Sequence, residues 1–177
     1  MKKFAVGVVA LLVTAAWSVT AKEADPDAGP KKAIAVVHGI GDHKVHGTVT
    51  FTKHDDSIEI SIKLSGLTPG EHAFHIHEFG DCSSKDGMAA GGHFNPEKHK
   101  HGGPHAEQRH VGDLGNIKAD DDGKVELTLD DKLIQLQGPH SIIGRSVIVH
   151  EKADDLKTDP AGNAGARIAC GVVGIAK

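Results

Sequence analysis

Three histidines at apolar runs have the spacing to bind one metal ion. His75 and His77 flank Ile76 in a run of strand-forming residues, and alternate residues of a strand leave the same face about 7 Å apart. His150, which follows the apolar run 147–149, could supply a third imidazole on the same side. A His-x-His pair is a short motif, and taken alone it is more typical of two surface histidines on a solvated face.

The segment from residue 79 to residue 116 is rich in histidine and glycine. Its possible ligands are His93, His99, His101, His105, His110 and Asp113. Imidazole and carboxylate ligands without a thiolate suit borderline ions such as zinc and copper(II). The composition alone also fits a flexible metal-binding loop or a solvated one, because it does not show whether the glycines shape specific turns.

The elements that must position these residues are short strands. Alternating or β-branched runs predict strands at 33–37, 45–52, 57–64, 72–78, 125–129, 146–150 and 170–175. Clusters of turn-forming residues separate the runs, and convincing amphipathic helices are missing, which is typical of an antiparallel sandwich or barrel. Residues 79–116 and 151–169 interrupt this rhythm, and connections of that length in a compact domain are usually functional or disordered.

The first 32 residues are predicted to stand apart from this domain. Residues 1–21 have the features of a secretory signal, with two lysines, an apolar run and a small-residue ending suited to cleavage after about Ala21. The run is short for a membrane span of about 20 residues, so we expect no membrane anchor and a periplasmic protein. Residues 22–32 have little to bury and predict a flexible leader, and residues 33–177 predict one domain.

Charge and cysteine content limit the partners and the covalent structure. The chain has 20 basic and 24 acidic residues, and removal of the signal leaves a net charge of about −6, which argues against nucleic acid as a partner. An anionic substrate would therefore need a local basic patch. Cys82 and Cys170 in an exported chain most simply form one disulfide, the alternative being two buried thiols.

Five longer motifs resemble the copper, zinc superoxide dismutases, in particular the exported bacterial ones. In chain order the motifs are HAFHIHEFGD at 72–81, GGHFNP at 91–96, HGGPHAEQRHVGDLGN at 101–116, IIGRSVIVHEKADDL at 142–156 and GNAGARIACGVVGIA at 162–176. The resemblance covers nearly all of residues 33–177. It implies an all-β fold, a Greek-key antiparallel β-sandwich or flattened eight-stranded barrel with two long functional loops.

The same resemblance implies a centre with two metal ions. Copper would be bound by His75, His77, His93 and His150. Zinc would be bound by His93, His101, His110 and Asp113, so that His93 bridges both ions. Asp154 would join His75 to His101, Cys82 would pair with Cys170, and Arg167 would hold an anion beside the open copper face. His99 and His105 match no ligand of the family and are interpreted as surface residues.

The implied activity is superoxide dismutation, in which two superoxide anions and two protons give oxygen and hydrogen peroxide, as an antioxidant defence. Copper would cycle between Cu(II) and Cu(I), since zinc has no redox chemistry, and His93 would release Cu(I) and take up a proton. The alternative is a periplasmic protein that stores or delivers copper or zinc without turnover. That alternative does not explain Arg167 or the shared ligand His93.

Two features concern regions where the family varies. Residues 151–166 are shorter than the matching loop of the animal enzymes, and Lys157 is the nearest candidate for a lysine that steers the anion. The residue pairs 79–80, 142–143 and 174–175 resemble the dimer surface of the animal enzymes. We therefore expect a homodimer, with a monomer as the alternative.

Overall fold

Eight strands and one short 3-10 helix make up the fold. The computed structural model describes residues 29–177. The strands are β1 (Lys32–Gly39), β2 (His46–Lys53), β3 (Ile58–Ser65), β4 (Gly70–His77), β5 (Asp113–Ala119), β6 (Val125–Asp131), β7 (Ser146–His150) and β8 (Arg167–Ile175), and the helix is Met88–Ala90. Within residues 29–177 no helix is long and apolar enough to cross a membrane.

The strands form a single antiparallel sheet that closes on itself. Their order is β5-β4-β7-β8-β1-β2-β3-β6, and the two edge strands, β5 and β6, contact each other. The chain passes from β3 to β4 and from β6 to β7 between strands that are not neighbours, which gives Greek-key connections. The predicted all-β fold, a flattened eight-stranded barrel, is confirmed.

Alternating apolar residues fill the inside of the barrel. Along β3, Ile58, Ile60, Ile62 and Leu64 are buried while the residues between them are partly or fully exposed, as the two-residue period of a strand requires. Burial of each such side chain contributes about 1.5–3 kcal/mol. The result is a rigid wall against which the loops can pack.

Strands β4 and β7 are covered on both faces. Every residue from His72 to His77 is buried, and so is every residue of β7. Phe74 and Ile76 point into the barrel core, so His75 and His77 lie on the outer face, under the long loops. The first of these loops runs from residue 78 to residue 112 and the second from residue 151 to residue 166.

One strand was not predicted from the sequence. Residues 113–116 were assigned to the first long loop, but strand β5 begins at Asp113 and pairs with β4. Aspartate, glycine and asparagine are poor strand formers, so the pattern of DLGN does not indicate a strand. Pairing with β4, next to a register shift between Ala73 and His75, holds this segment extended.

Strands β1 and β8 begin slightly before their predicted starts. The predicted signal, residues 1–21, and most of the predicted leader lie outside the described residues. Strand β1 begins at Lys32, and the carbonyl of Lys31 accepts a hydrogen bond from the amide of Lys53. Strand β8 begins at Arg167, three residues before the predicted start, so Arg167 lies on a strand and not in the preceding loop.

The predicted disulfide is confirmed. Cys82 and Cys170 are joined and lie 88 residues apart in the sequence. Their Cα atoms are 5.7 Å apart, an ordinary distance for a disulfide. The bond connects the first long loop to β8. It packs with Ile40, Ala90 and Ile148 in a small apolar cluster on the outside of the barrel.

Candidate metal centre

Seven buried side chains form two clusters that share one histidine. The first cluster is His75, His77, His93 and His150, and the second is His93, His101, His110 and Asp113. In each cluster the possible ligand atoms all lie within 4.8 Å of one another. These are the seven residues that the sequence predicted as ligands, and the fold brings all of them together.

Two neighbouring strands supply three members of the first cluster. His75 and His77 lie on β4, which pairs with β7 so that His77 is opposite Ser146 and His75 opposite Ile148. His150 follows two residues later on β7 and lies beyond a register shift between β7 and β8. An isolated antiparallel β-bridge between the backbones of His77 and His93 holds the first long loop against β4.

The outer nitrogens of His77 and His150 face backbone oxygens. Nδ1 of His77 donates to the carbonyl of Gly91 at 3.0 Å, and Nδ1 of His150 faces the carbonyl of Gly165 at 3.4 Å. Because a carbonyl oxygen only accepts, each Nδ1 carries the proton and each Nε2 carries a lone pair. The two Nε2 atoms lie 3.4 Å apart. Two lone pairs at that distance repel each other unless a cation lies between them.

Asp154 joins the two clusters. Its carboxylate oxygens accept hydrogen bonds from Nε2 of His75 and from Nε2 of His101, each at 2.9 Å. In the neutral ring of His75, Nδ1 therefore carries the lone pair, and this atom is buried without a hydrogen-bond partner. Burial alone would raise the pKa of Asp154, but the hydrogen bonds from His101 and His75 hold the pKa of this carboxyl well below its usual range.

Asp113 collects the nitrogen atoms of the second cluster. Its Oδ1 lies 2.7 Å from Nδ1 of His93 and 3.1 Å from Nδ1 of both His101 and His110. Its Oδ2 accepts hydrogen bonds from the amides of Gly102 and His110. Burial opposes the charge, but the three imidazoles hold the pKa of Asp113 far below its usual range. The carboxylate is therefore charged and fixed in orientation.

His93 is the one residue with a ring nitrogen in each cluster. Nδ1 faces Asp113, and Nε2 is buried and lacks a hydrogen-bond partner. Burial lowers the pKa of His93 to about 4, and the hydrogen bond that its Nδ1 donates to Asp113 only partly offsets this effect. At neutral pH the ring is thus uncharged, and both of its nitrogens point at positions where a cation would be stabilised.

The protonation states in the first cluster favour metal binding. Burial lowers the pKa of His150 to about 3 and that of His77 well below its usual value, and the positive charge of Arg167 adds to the effect on both. Neutral imidazoles offer the lone pairs that a metal ion needs. The pKa of His101 behaves differently, since hydrogen bonds to Asp113 and Asp154 outweigh burial and raise it to about 10.

The donor set fits copper and zinc. It consists of six imidazoles and one carboxylate, with no thiolate, and such sets suit borderline divalent ions. The buried Nδ1 of His75 and Nε2 of His93 have no hydrogen-bond partner, and a buried polar atom left unpaired in a native structure calls for an explanation such as an ion. A cation in the first cluster would satisfy both of them.

Arg167 lies at the open side of the first cluster. Its Nη1 donates to the carbonyl of Gly87 at 2.7 Å, which fixes the guanidinium. Arg167 and His150 both line an open pocket of about 670 Å³, together with Lys85, Asp86 and others. The guanidinium is therefore a fixed positive charge where solvent reaches the cluster.

Three residues considered from the sequence lie outside both clusters. His99 is half-buried, with Nδ1 3.3 Å from the carbonyl of Arg109, and His105 is exposed. Lys157 is exposed, and its amide bonds to the carboxylate of Asp155. The pocket beside Arg167 is lined by Lys85 and not by Lys157.

Two residues that support the clusters were not identified from the sequence. Asn116 forms a reciprocal pair with the backbone of Asp154, accepting from its amide at 2.7 Å and donating to its carbonyl at 3.0 Å. Buried Arg109 donates to the carbonyls of His110, Val111 and Asp113. A lone arginine or asparagine in a long loop gives no spacing signal, because its partners are backbone atoms.

Arg109 also forms a buried ion pair with Asp131 at the end of β6. The second oxygen of Asp131 accepts hydrogen bonds from the amides of residues 133 and 134. This pair ties the segment that carries His110 and Asp113 to the end of β6, the other edge strand of the sheet.

The chain is similar to known proteins in both sequence and structure. Residues 45–173 match the family model described as copper/zinc superoxide dismutase (SODC). The chain is 48% identical over 152 residues to the extracellular superoxide dismutase [Cu-Zn] of Brugia pahangi, an alignment that covers 81% of this chain and 75% of that protein. Among solved structures, the crystal structure of the clock protein EA4 is similar with a TM-score of 0.77 and 44% identity, over 86% of this chain and 99% of that one.

The Arg109–Asp131 pair gives a first prediction. Replacing Arg109→Gln leaves the Asp131 charge buried without its partner, so we expect the free energy of unfolding to fall by about 3–5 kcal/mol. The double variant Arg109→Gln/Asp131→Asn removes the charge and should recover part of that loss. Urea unfolding of the metal-loaded proteins measures both, and equal stabilities of wild type and single variant would contradict the assigned role.

Proposed function

Because the chain belongs to the copper/zinc superoxide dismutase family, we propose that its two buried clusters form one centre with copper and zinc bridged by His93. Family membership and 48% identity to a named dismutase make the chain an enzyme of this class. The residue that carries the proposal is His93, since its two ring nitrogens face two different clusters of buried ligands.

The proposed ligands follow from the clusters. Copper would be held by His75, His77, His93 and His150, and zinc by His93, His101, His110 and Asp113. When bound, copper would supply one-electron redox chemistry. Zinc has no redox chemistry and acts as a fixed charge on His93 and its neighbours.

The residues of the chain bind the anion and move a proton. The guanidinium of Arg167, fixed by the carbonyl of Gly87, attracts superoxide to the open side of the copper ligands. Nε2 of His93 would take up one proton and give it to the superoxide that is reduced, and water would supply the other proton. Two superoxide ions and two protons thus yield oxygen and hydrogen peroxide, an antioxidant reaction.

Asp154 has a positioning role in this proposal. By accepting from Nε2 of His75 and of His101, it sets the tautomer of one copper ligand and one zinc ligand. Asn116 in turn holds the backbone of Asp154. The orientation of one histidine in the first cluster and of one in the second is therefore set by a single carboxylate.

Removal of one copper ligand tests the proposed reaction. Mutation of a residue that only hydrogen-bonds to a metal ligand usually lowers metal affinity or activity by 10–100-fold. Loss of a ligand itself should cost more, so His150→Ala should lower copper content and reduce superoxide turnover by at least about 100-fold. His105→Ala, at an exposed position outside the clusters, is the matched control and should leave both unchanged. Copper and zinc per chain are measured by mass spectrometry, and turnover by pulse radiolysis.

The alternative, storage or delivery of metal without turnover, gives the opposite result. A wild-type protein with both metals bound and no acceleration of superoxide decay would support storage, and Arg167 would then lose its role. Equal turnover in wild type and His150→Ala would also contradict the proposal.

We propose that the protein is exported. The disulfide between Cys82 and Cys170 suits an oxidising compartment, and the similar protein of Brugia pahangi is named as extracellular. Together with the signal predicted in residues 1–21, this supports release after about Ala21, into the periplasm if the source is bacterial.

Lys85 is the better candidate for a steering lysine. It lines the pocket that contains Arg167 and His150, whereas Lys157, the residue suggested by the sequence, does not line that pocket. A charge at the mouth of the pocket raises the encounter rate with an anion, and salt screens this effect.

Salt dependence tests the role of Lys85. The variant Lys85→Gln should lower kcat/KM by roughly two- to five-fold at low ionic strength, and the difference should vanish at high salt. Lys157→Gln is the matched control, with a smaller expected effect. A larger loss in Lys157→Gln than in Lys85→Gln would return the role to Lys157.

We also propose a homodimer that forms through an apolar face next to β1 and β8. Its exposed residues are Val36 (51%), Phe79 (52%), Val172 (43%) and Ile175 (65%). A side-chain carbon at Gly80 would meet a methyl carbon of Val172, so the segment that carries Phe79 lies beside β8. Ile142, which the sequence comparison with animal enzymes included, is fully buried in the core and does not contribute.

Sedimentation tests the dimer. We expect wild type to sediment as a dimer and Ile175→Glu as a monomer, because the new charge would be buried without a partner. Leu127→Glu, at an exposed apolar position on β6, is the control and should remain dimeric. A monomeric wild type at micromolar concentration would rule out the proposed dimer.

A further inference from the structure

Two exposed histidines lie directly opposite each other on the outside of the barrel. His38 near the end of β1 and His46 at the start of β2 are partners in the antiparallel register of these strands. The core-facing neighbours Val37 and Val45 are buried, while His38 and His46 are exposed. Both imidazoles therefore project from the same outer face.

Opposite positions suit chelation of one ion. The Cβ atoms of directly opposed residues in an antiparallel pair are about 4.5–5.5 Å apart, a separation from which two imidazoles can each place a nitrogen about 2.0–2.1 Å from one metal ion. Nδ1 of His46 bonds to the carbonyl of Lys44 at 2.9 Å. Since a carbonyl only accepts, Nδ1 is the donor and Nε2 keeps its lone pair.

The surroundings leave room for an ion and its water ligands. Ser65 of β3, a small residue, is opposite His46. His38 also lines an open groove of about 580 Å³ beside the disulfide loop. Neither histidine belongs to the buried clusters.

The backbone that carries the pair is rigid. Strand β1 is paired on one side with β2 and on the other with β8, and β2 is paired with β3. The two histidines are thus held at a fixed spacing by the barrel, and binding an ion orders only the side-chain torsions. Such preorganisation favours chelation over binding by two independent histidines.

We propose that His38 and His46 form a surface site for a borderline divalent metal ion, zinc or copper(II), separate from the buried centre. Two imidazoles supply the protein ligands, and water completes the coordination. Imidazole is the donor that these ions prefer among the groups present at this position. The proposal does not depend on the proposed reaction, because neither residue contacts the buried ligands.

Titration of the loaded enzyme tests the site. Untagged protein with copper and zinc already in the buried centre is titrated with Zn²⁺, and separately with Cu²⁺, by calorimetry. We expect one further ion per chain for wild type and loss of this binding in His38→Ala, in His46→Ala and in the double variant. His54→Ala, which removes an exposed histidine at the turn after β2, is the matched control and should bind like wild type.

The loss of metal affinity in each variant distinguishes chelation from binding by two independent histidines. Chelation predicts that each single variant loses nearly as much affinity as the double variant, whereas two independent histidines predict partial and additive losses, which would overturn the proposal. Unchanged binding in the double variant would also overturn it. Superoxide turnover should stay at the wild-type level in all of these variants, so failure of this site and failure of the proposed function are separately visible.

Discussion

The converging lone pairs of buried imidazoles are the constraint on which the rest of the site depends. Asp154 and backbone carbonyls from the two long loops accept the outer N–H of His75, His77 and His150, which leaves the inner nitrogen of each of these rings with a lone pair. Burying such groups without a partner is unfavourable by about 1–3 kcal/mol each. A cation in the first cluster would remove this cost.

The rigid barrel fixes the positions of these buried histidines. Strands β4 and β7 are anchored by core residues such as Phe74 and Val149, both completely buried, so the histidines on their outer faces cannot move apart to relieve repulsion. The first long loop is held at several points, by the disulfide at Cys82 and by the Arg109–Asp131 ion pair. A disulfide that closes a loop of this length contributes roughly 4–5 kcal/mol in the chain-entropy model.

Charge is distributed unevenly between the two halves of the centre. The carboxylates of Asp113 and Asp154 lie on the side of the second cluster, where they raise the pKa of His101 to about 10. The first cluster has no carboxylate ligand and has Arg167 at its open side. One half is thus suited to hold a cation firmly, and the other leaves a positive potential toward solvent, where an anion can approach.

The residues of the two clusters could be predicted from the sequence because their types and order are local properties. Histidines at 75 and 77 share a face by strand periodicity alone, and the family resemblance of the long motifs extended this to all seven clustered residues and to the cysteine pair. The sequence did not indicate β5, since DLGN is a poor strand pattern and extends only by pairing with β4. It also did not indicate Arg109, Asn116 or the choice between Lys85 and Lys157. The roles of Arg109 and Asn116 depend on backbone atoms and on a carboxylate at the end of β6, and the choice of lysine depends on which loop borders the pocket. Only tertiary structure brings such groups within hydrogen-bonding or Coulombic range.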